Sequence, residues 1–357
     1  MKIEDHLVKL KEDIDNELRE YFECKIEKIK KKNDLCELVG MTENLEKFIL
    51  SSGKRIRPIL FYYGYILANG KNIKEILKTS ISIEFIHSYF LIHDDIIDRD
   101  DFRHGNFSMH HSYAKKAEEE FKNIDSDHFG ISMGIIVGDL SSAFGYEILN
   151  SSKFKKTLKT KALSKLDKII CDTIFGQALD LNLEQNKNYC IDEIFEMQTC
   201  KTAKYTIEGP LHLGAILAGA DNDFLDSLSK FAIPLGIAFQ IQDDIIGVFG
   251  DKVKIGKPVG SDIMEGKKTL LLAKAVENAD DTQKKILDKS LGNKNISIKD
   301  IDNVKDIIIN TGSLEFSNKK ALELVENAKK EIKNISISKE NVKFLNNFAD
   351  FIVNRGH

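Results

Sequence analysis

Apolar residues recur at helical spacing along most of the chain. Leu7, Leu10, Ile14, Leu18 and Phe22 stack on one helical face, and Ile301, Val304, Ile308 and Leu314 repeat the pattern. Only four prolines interrupt the 357 residues: Pro58, Pro210, Pro234 and Pro258. Alternating strand patterns are nearly absent, and the single Asn-Gly step, at Asn69, fits a helix–helix turn. Breaks are expected near Ser51–Gly53, Asn69–Lys71, Gly105–Phe107, Asp125–Phe129, Asn182–Tyr189, Gly250–Asp262 and Gly292–Asn295. No low-complexity linker or short repeat divides the chain. The expectation is one all-α domain over residues 1–357.

Two apolar segments depart from simple amphipathicity. Phe85–Ile92 runs into Asp94, Asp95 and Asp98, and Phe231–Ile241 runs into Asp243 and Asp244. On a helix Asp94 and Asp98 lie one turn apart on the same face, with Asp95 about 100° around. Like charges at that spacing repel by a few tenths of a kcal/mol. A hard divalent cation offsets the repulsion, since Mg²⁺ takes one or two carboxylates and fills its shell with water and phosphate oxygens. A solvated acidic helix end is the plainer reading of either cluster alone. Two apolar helices that each end in an aspartate pair suggest metal-binding walls for a polyanion.

Fixed cations accompany them in short islands. Lys54, Arg55 and Arg57 lie in GKRIRP, Arg103 follows the first cluster, and Lys201 with Thr202 lies in CKTAKY. Lys257 lies in GKPVGSD, and Lys267 and Lys268 in EGKKT. Arginine offers a forked phosphate contact and lysine a point charge. The lysine-rich stretches near Lys28–Lys32 and Lys153–Lys168 read as solvated helix faces.

Composition narrows the remaining options. Apolar residues reach 42%, enough for a sizeable core, and 52 basic against 56 acidic residues leave a net charge of −4. That balance argues against nucleic-acid binding. Five cysteines without a CxxC motif fit free thiols in a reducing compartment. The charged N-terminus is no signal peptide, and no apolar run reaches about 20 residues. A soluble cytoplasmic protein without stable membrane insertion is expected.

The ordered set SGKRIRP, EFIHSYFLIHDDIID, FRHG, GDL, GQALDL, KTA, FQIQDD and GKPVGSDIMEGKKT resembles the trans-isoprenyl diphosphate synthases, or polyprenyl synthetases. The resemblance extends from about Gly53 to Thr269. It implies an all-α isoprenoid-synthase bundle around a central cavity, a homodimer, and head-to-tail condensation of isopentenyl diphosphate with an allylic diphosphate. Three Mg²⁺ ions are expected, with Mn²⁺ able to substitute. By position, Asp94 and Asp98 match the first metal-binding aspartates, with Asp95 in support. Asp243 matches the aspartate of the third ion, with Asp244 beside it. Arg103, Lys201 and Lys257 match residues that hold the allylic diphosphate. Lys54, Arg57 and His87 match the isopentenyl diphosphate site, Thr202 and Gln240 the polar residues near the reacting carbons, and Phe239 the aromatic beside the second substrate.

Two departures from the family pattern stand out. Gly247 replaces a frequent third aspartate in the second motif, with Asp251 one turn later. His104 replaces a frequent arginine of the isopentenyl diphosphate site, and either donates one hydrogen bond there or faces solvent. Tyr89 and Phe90, five and four residues before Asp94, match positions that floor the tail pocket. Two adjacent aromatics resemble farnesyl synthases and one resembles the geranylgeranyl type, so a fifteen-carbon product is expected first and a twenty-carbon product second.

Among further residues, His93 reads as structural, while Gln177 and Asp180 match a motif lining the cavity or pair between helices. Asp139 is expected to cap a helix at a bend after Gly138, and Arg355 is a candidate substrate contact. His110 and His111 are unassigned. The HDD motif also resembles metal-dependent phosphohydrolases, but the further histidines they need are absent. A class I terpene cyclase is the first competing function. It needs no isopentenyl diphosphate site and commonly uses tryptophan, which this chain lacks. A non-catalytic regulatory subunit is the second, and such subunits usually lose one aspartate motif.

Overall fold

The structure, a computed structural model, describes residues 3–32, 36–51, 53–103, 105–186, 189–250 and 260–353. The fold is all-α, with 83% of it helical. His104, Asp251, Lys257 and Arg355 lie outside the described residues. Helices α1 (Ile3–Lys32), α2 (Cys36–Leu50), α3 (Ile56–Leu67), α4 (Ile73–Ser80) and α5 (Ser82–Asp98) open the chain. A two-stranded antiparallel hairpin, β1 (Phe102–Arg103) and β2 (Asn106–Phe107), leads to α6 (Met109–Glu120), α7 (Ser126–Ser151) and α8 (Lys156–Gln185). Helix α9 (Ile191–Gln198) passes directly into a π-helical stretch, Thr199–Glu208, then α10 (Gly209–Ala218) and α11 (Asn222–Phe249). Helices Leu270–Asn278, Asp281–Ser290, Ile298–Asn310, Ser313–Ile332 and Lys339–Val353 are the longer ones that follow.

Contacts divide the chain into two compact units. One comprises Met1–Ser164 with Leu213–Gly219, the other Lys165–His212 with Ala220–His357. In the first, Leu10, Ile14, Leu18 and Phe22 of α1 are buried, as their spacing predicts. Phe22 packs against Phe85 of α5 with ring centroids 5.2 Å apart. Each large apolar side chain so buried contributes about 1.5–3 kcal/mol. In the second unit, α11 buries Leu228, Phe231, Leu235, Ile241 and Val248 among its neighbours.

Local chemistry fixes the helix ends. Asp125 accepts from the His128 amide at 3.0 Å to start α7, and Asp221 from the Phe224 amide at 2.9 Å to start α11. Asn69, with φ of 61°, makes the expected turn after α3. Helix α5 stops at Arg99, whose left-handed backbone (φ 60°) closes the last turn just after Asp98.

One expectation needs correction. Asp139 is no cap, because α7 runs unbroken from Ser126 to Ser151. Gly138 is needed there for space: the His93 ring lies where a side chain would begin. Charged residues interrupt the apolar runs of the two most apolar helices before about 20 residues. Helices α7 and α11 are each long and apolar enough to cross a membrane by length and composition. Of their apolar windows, 39% and 61% respectively are buried inside the protein, and core helices of this kind meet the same measure.

Candidate active site

In the first unit, α5 delivers the DDIID aspartates on its last turns. Asp94 and Asp98 are half-buried one turn apart, as their spacing requires. Asp95 is fully buried and belongs to a different environment. Arg103 Nε donates to its Oδ1 at 2.6 Å, and Arg103 Nη2 pairs with the same carboxylate. The hairpin makes this possible: Gly105, at φ 79°, turns the chain, and Phe102 and Phe107 pack across the strands at 5.2 Å. Arg103 is thereby folded back onto α5, with Nη2 also 3.7 Å from Asp94. Burial opposes its charge, but Asp95 outweighs that and raises its pKa further.

Two helical turns before Asp94 on α5, His87 meets Arg57, with Arg57 Nη1 and His87 Nε2 3.1 Å apart. Lys54 is exposed beside them in sequence, whereas Arg55 is buried. A cavity of about 330 Å³ is lined by His87, Leu91, Arg103, Lys47, Asn106 and Met109, among others. Its size lies at the lower end of the usual small-molecule range, about 300–1,000 Å³. Tyr89 and Phe90 pack ring to ring at 4.8 Å, and Tyr89 meets His93 edge-on at 4.7 Å. His93 in turn lies 3.8 Å from Asp139 and within 3.3 Å of the Ile135 carbonyl oxygen, which supports its structural reading. His110 is half-buried, and burial lowers its pKa.

In the second unit the π-helical stretch carries Lys201 and Thr202. Its extra residue per turn is unusual and recurs at functional sites. Lys201 Nζ donates to Asp180 at 2.5 Å. Gly176 permits the approach, since a Cβ there would strike the Lys201 backbone, and Gly236 likewise makes room for Ala203. Thr202 Oγ1 donates to Gln240 Oε1 at 2.7 Å, Gln240 Nε2 to Asp244 Oδ1 at 2.7 Å, and Gln198 Nε2 to Asp244 Oδ2 at 3.2 Å. Burial pushes the Asp244 carboxyl well above its usual range, and Asp262 and Asp243 add to that. Asp243 faces outward, and Phe239 is buried.

Sequence reasoning missed several of these features. Gln198 carries no motif, and its role shows only in the chain that ends at Asp244. Asp262 fills the space beside Gly247: its Oδ2 lies 2.8 Å from where a Cβ would stand. The chain thus carries a carboxylate from elsewhere next to the position that lacks the third aspartate. Among the described residues, no group of three or more histidine, cysteine, aspartate or glutamate side chains forms a ready cage for a metal. The chemistry of the donor set, pairs of carboxylates without histidine, fits a hard ion that completes its shell with phosphate oxygens and water.

Comparison with known proteins accords with this geometry. The pattern of the family described as Polyprenyl synthetase matches residues 40–308. A short chain isoprenyl diphosphate synthase of Methanocaldococcus jannaschii is 35% identical over 315 residues, 87% of this chain and 88% of that protein. A geranylgeranyl diphosphate synthase of Sulfolobus acidocaldarius is 33% identical, over 85% of this chain and 88% of that one. The crystal structure of geranylgeranyl pyrophosphate synthase from Corynebacterium glutamicum, complexed with isoprenyl diphosphate and magnesium, superposes with a TM-score of 0.92 at 32% identity, covering 97% of this chain and 99% of that one. The chain belongs to the polyprenyl synthetase family and is a prenyltransferase of the short-chain isoprenyl diphosphate synthase type.

Proposed function

We propose that the chain joins isopentenyl diphosphate head-to-tail to an allylic diphosphate, within one catalytic domain. The observation that carries this reading is that each of the two units carries basic side chains held in place by a partner, together with outward carboxylates. Arg57 and His87 stand together at 3.1 Å, while Lys201 is held at 2.5 Å by Asp180 beside Thr202.

In this reading Asp94, Asp98 and Asp243 present carboxylates to metal, while Asp95 and Asp244 act from behind them. Mg²⁺, three ions by family likeness and Mn²⁺ as a substitute, would supply Lewis acidity that draws electrons toward the departing pyrophosphate. Magnesium in the Corynebacterium relative supports that choice. Arg103, Lys201 and Lys257 neutralise charge on the leaving group as the allylic carbon–oxygen bond breaks. Lys54, Arg57, His87 and His104 hold isopentenyl diphosphate so that its double bond attacks the allylic carbon. Thr202, Gln240 and Phe239 stabilise the carbocation and exclude water. A proton then leaves to the released pyrophosphate.

The product ends at a floor formed by Tyr89 and Phe90. Two adjacent aromatics favour fifteen carbons, but the Sulfolobus and Corynebacterium relatives are named for the geranylgeranyl product. We assign twenty carbons first and fifteen second. A cytoplasmic homodimer accords with the family.

The test is a product assay. The purified chain is incubated with Mg²⁺, isopentenyl diphosphate and five-, ten- or fifteen-carbon allylic diphosphates in turn, and chain length is read by mass spectrometry after dephosphorylation. A longer prenyl product in any tube supports condensation. Its absence in every tube, with a folded protein, refutes the reading.

A further inference from the structure

The first arginine of GKRIRP is buried, unlike Lys54 before it and Ile56 after it. Arg55 is 3% exposed. Its Nε donates to Asp15 of α1 at 2.7 Å, its Nη1 to Glu84 of α5 at 2.6 Å, and its Nη2 to the Ile49 carbonyl oxygen at 2.7 Å. All three guanidinium nitrogens are thus occupied. Arg55 also takes a left-handed backbone, φ 52° and ψ 31°, which is strained for a residue with a side chain. Gly53, at φ 122°, makes the room, because a Cβ there would lie 2.9 Å from Arg55 Nη1 and 3.6 Å from Glu84 Oε1.

The consequence is geometric. With Arg55 turned inward, Lys54 is left exposed and Arg57 reaches His87. Two arginines two residues apart, Arg55 just before α3 and Arg57 in its first turn, therefore clasp two α5 residues, Glu84 and His87, that lie on adjacent turns of one face. The charge balance favours the arrangement. Burial alone would raise the Asp15 pKa, but hydrogen bonds from Lys11 and Arg55 outweigh it and hold the carboxyl below its ordinary range. Breaking one partner of a buried charge pair leaves the other uncompensated, so the network is set to hold one geometry.

We infer that Arg55, held by Asp15 and Glu84, is a positioning residue that presents Lys54, Arg57 and His87 as one preset site for the diphosphate of the non-allylic substrate. This rests on the prenyltransferase reading above. Arg55 lies in the cavity wall, but its guanidinium is committed to Asp15, Glu84 and the Ile49 carbonyl oxygen, so its role is indirect. Its contribution lies in prepaying the order of a loop that would otherwise have to be fixed at each binding event.

The test separates binding of one substrate from everything else. Asp15→Ala and Arg55→Met are compared with the wild type, varying isopentenyl diphosphate at saturating allylic diphosphate and then the reverse. The expected result is a rise of about tenfold in KM for isopentenyl diphosphate, with kcat and the allylic KM within about twofold. Arg55→Lys, which keeps the charge but not the fork, is expected to recover little. If Arg55→Met fails to fold, Asp15→Ala carries the test, because Glu84 still pairs with Arg55 and Lys11, whose side chain is 41% exposed, turns to solvent. In parallel, the thermal midpoint is followed with isopentenyl diphosphate alone, and a smaller ligand-induced rise is expected in the variants. An unchanged KM for isopentenyl diphosphate, or equal losses in kcat and both KM values, overturns the proposal. A wild-type chain that condenses nothing sinks the prenyltransferase reading instead.

Discussion

The product-length floor offers a perturbation whose size can be worked from the helix. Along α5 each residue rises about 1.5 Å, so Phe90 and Tyr89 stand about 6 and 7.5 Å below Asp94. Both are half-buried, and their rings touch at 4.8 Å. The next large residues down the helix are Ile86 and Phe85, both fully buried, about one turn lower. Removing the Tyr89 ring therefore lowers the floor by about 5.4 Å. One isoprenoid unit adds four main-chain carbons, which at about 1.5 Å per bond extend about 5 Å. Tyr89→Ala is thus expected to lengthen the main product by one five-carbon unit, and Tyr89→Ala with Phe90→Ala to broaden it further. Half-buried aromatics cost less to truncate than the roughly 3–5 kcal/mol of fully buried ones, so the variants remain folded. Products from a common allylic primer are dephosphorylated and sized by mass spectrometry, with thermal unfolding as a control. An unchanged length distribution in the folded double variant would show that these rings serve packing against His93 and α7 only.

Three further outcomes follow from particular contacts. His212 is buried, its Nε2 donates to the Leu225 carbonyl oxygen at 2.9 Å and lies 3.1 Å from Ser229 Oγ, and burial, then Lys165, lowers its pKa from 6.5 to about 4. The unfolded chain takes up that proton first, so stability is full above about pH 6.5 and falls by up to about 3 kcal/mol as pH drops to about 4. Denaturant titrations of wild type and His212→Gln should diverge across that window, and parallel curves refute the assignment. Gln240→Leu strands Thr202 Oγ1 and Asp244 Oδ1, and is expected to cost about 1–3 kcal/mol and most of the turnover. A cost under about half a kcal/mol by denaturant midpoint contradicts the chain of bonds. Gly247→Asp, which restores the frequent third aspartate, drives its Cβ into Asp262 and should cost about 1–3 kcal/mol, whereas a variant as stable and active as wild type argues that Asp262 is freely displaced.

Much of the fold is legible because helix periodicity is a local signal. The buried stripe of α1 and the turn at Asn69 follow from spacing and composition, whereas the stop of α5 at Arg99 takes a left-handed backbone that arginine does not favour. Asp139 misleads for the opposite reason. A glycine inside a helix reads as a break, yet Gly138 serves a contact with His93 that lies 45 residues away in sequence. Arg55 shows the same limit. Within GKRIRP it is as charged as Lys54 and Arg57, and only the burial of its three partners separates it from them. Gln198 had no motif to announce it, and Asp262, although it lies in the GKPVGSDIMEGKKT segment, had no role assigned, because each acts through a neighbour brought close by folding.

The aspartate pairs carry the deeper lesson about why such clusters contain adjacent carboxylates. A helix turns about 100° per residue, so neighbours cannot serve the same face. In the first pair Asp94 remains at the surface while Asp95 goes into the core, and the cost of burying that charge is offset by Arg103. In the second pair Asp243 faces outward and Asp244 inward, with two glutamines as partners in place of a cation. The inward member thus does different work in each case. Asp95 fixes a positive group beside the outward carboxylates, whereas Asp244 orders neutral donors and links them to Thr202. Removing Asp95 would free an arginine, and removing Asp244 would unlock a hydrogen-bond chain. The two substitutions should therefore differ in kind even though the motifs read alike.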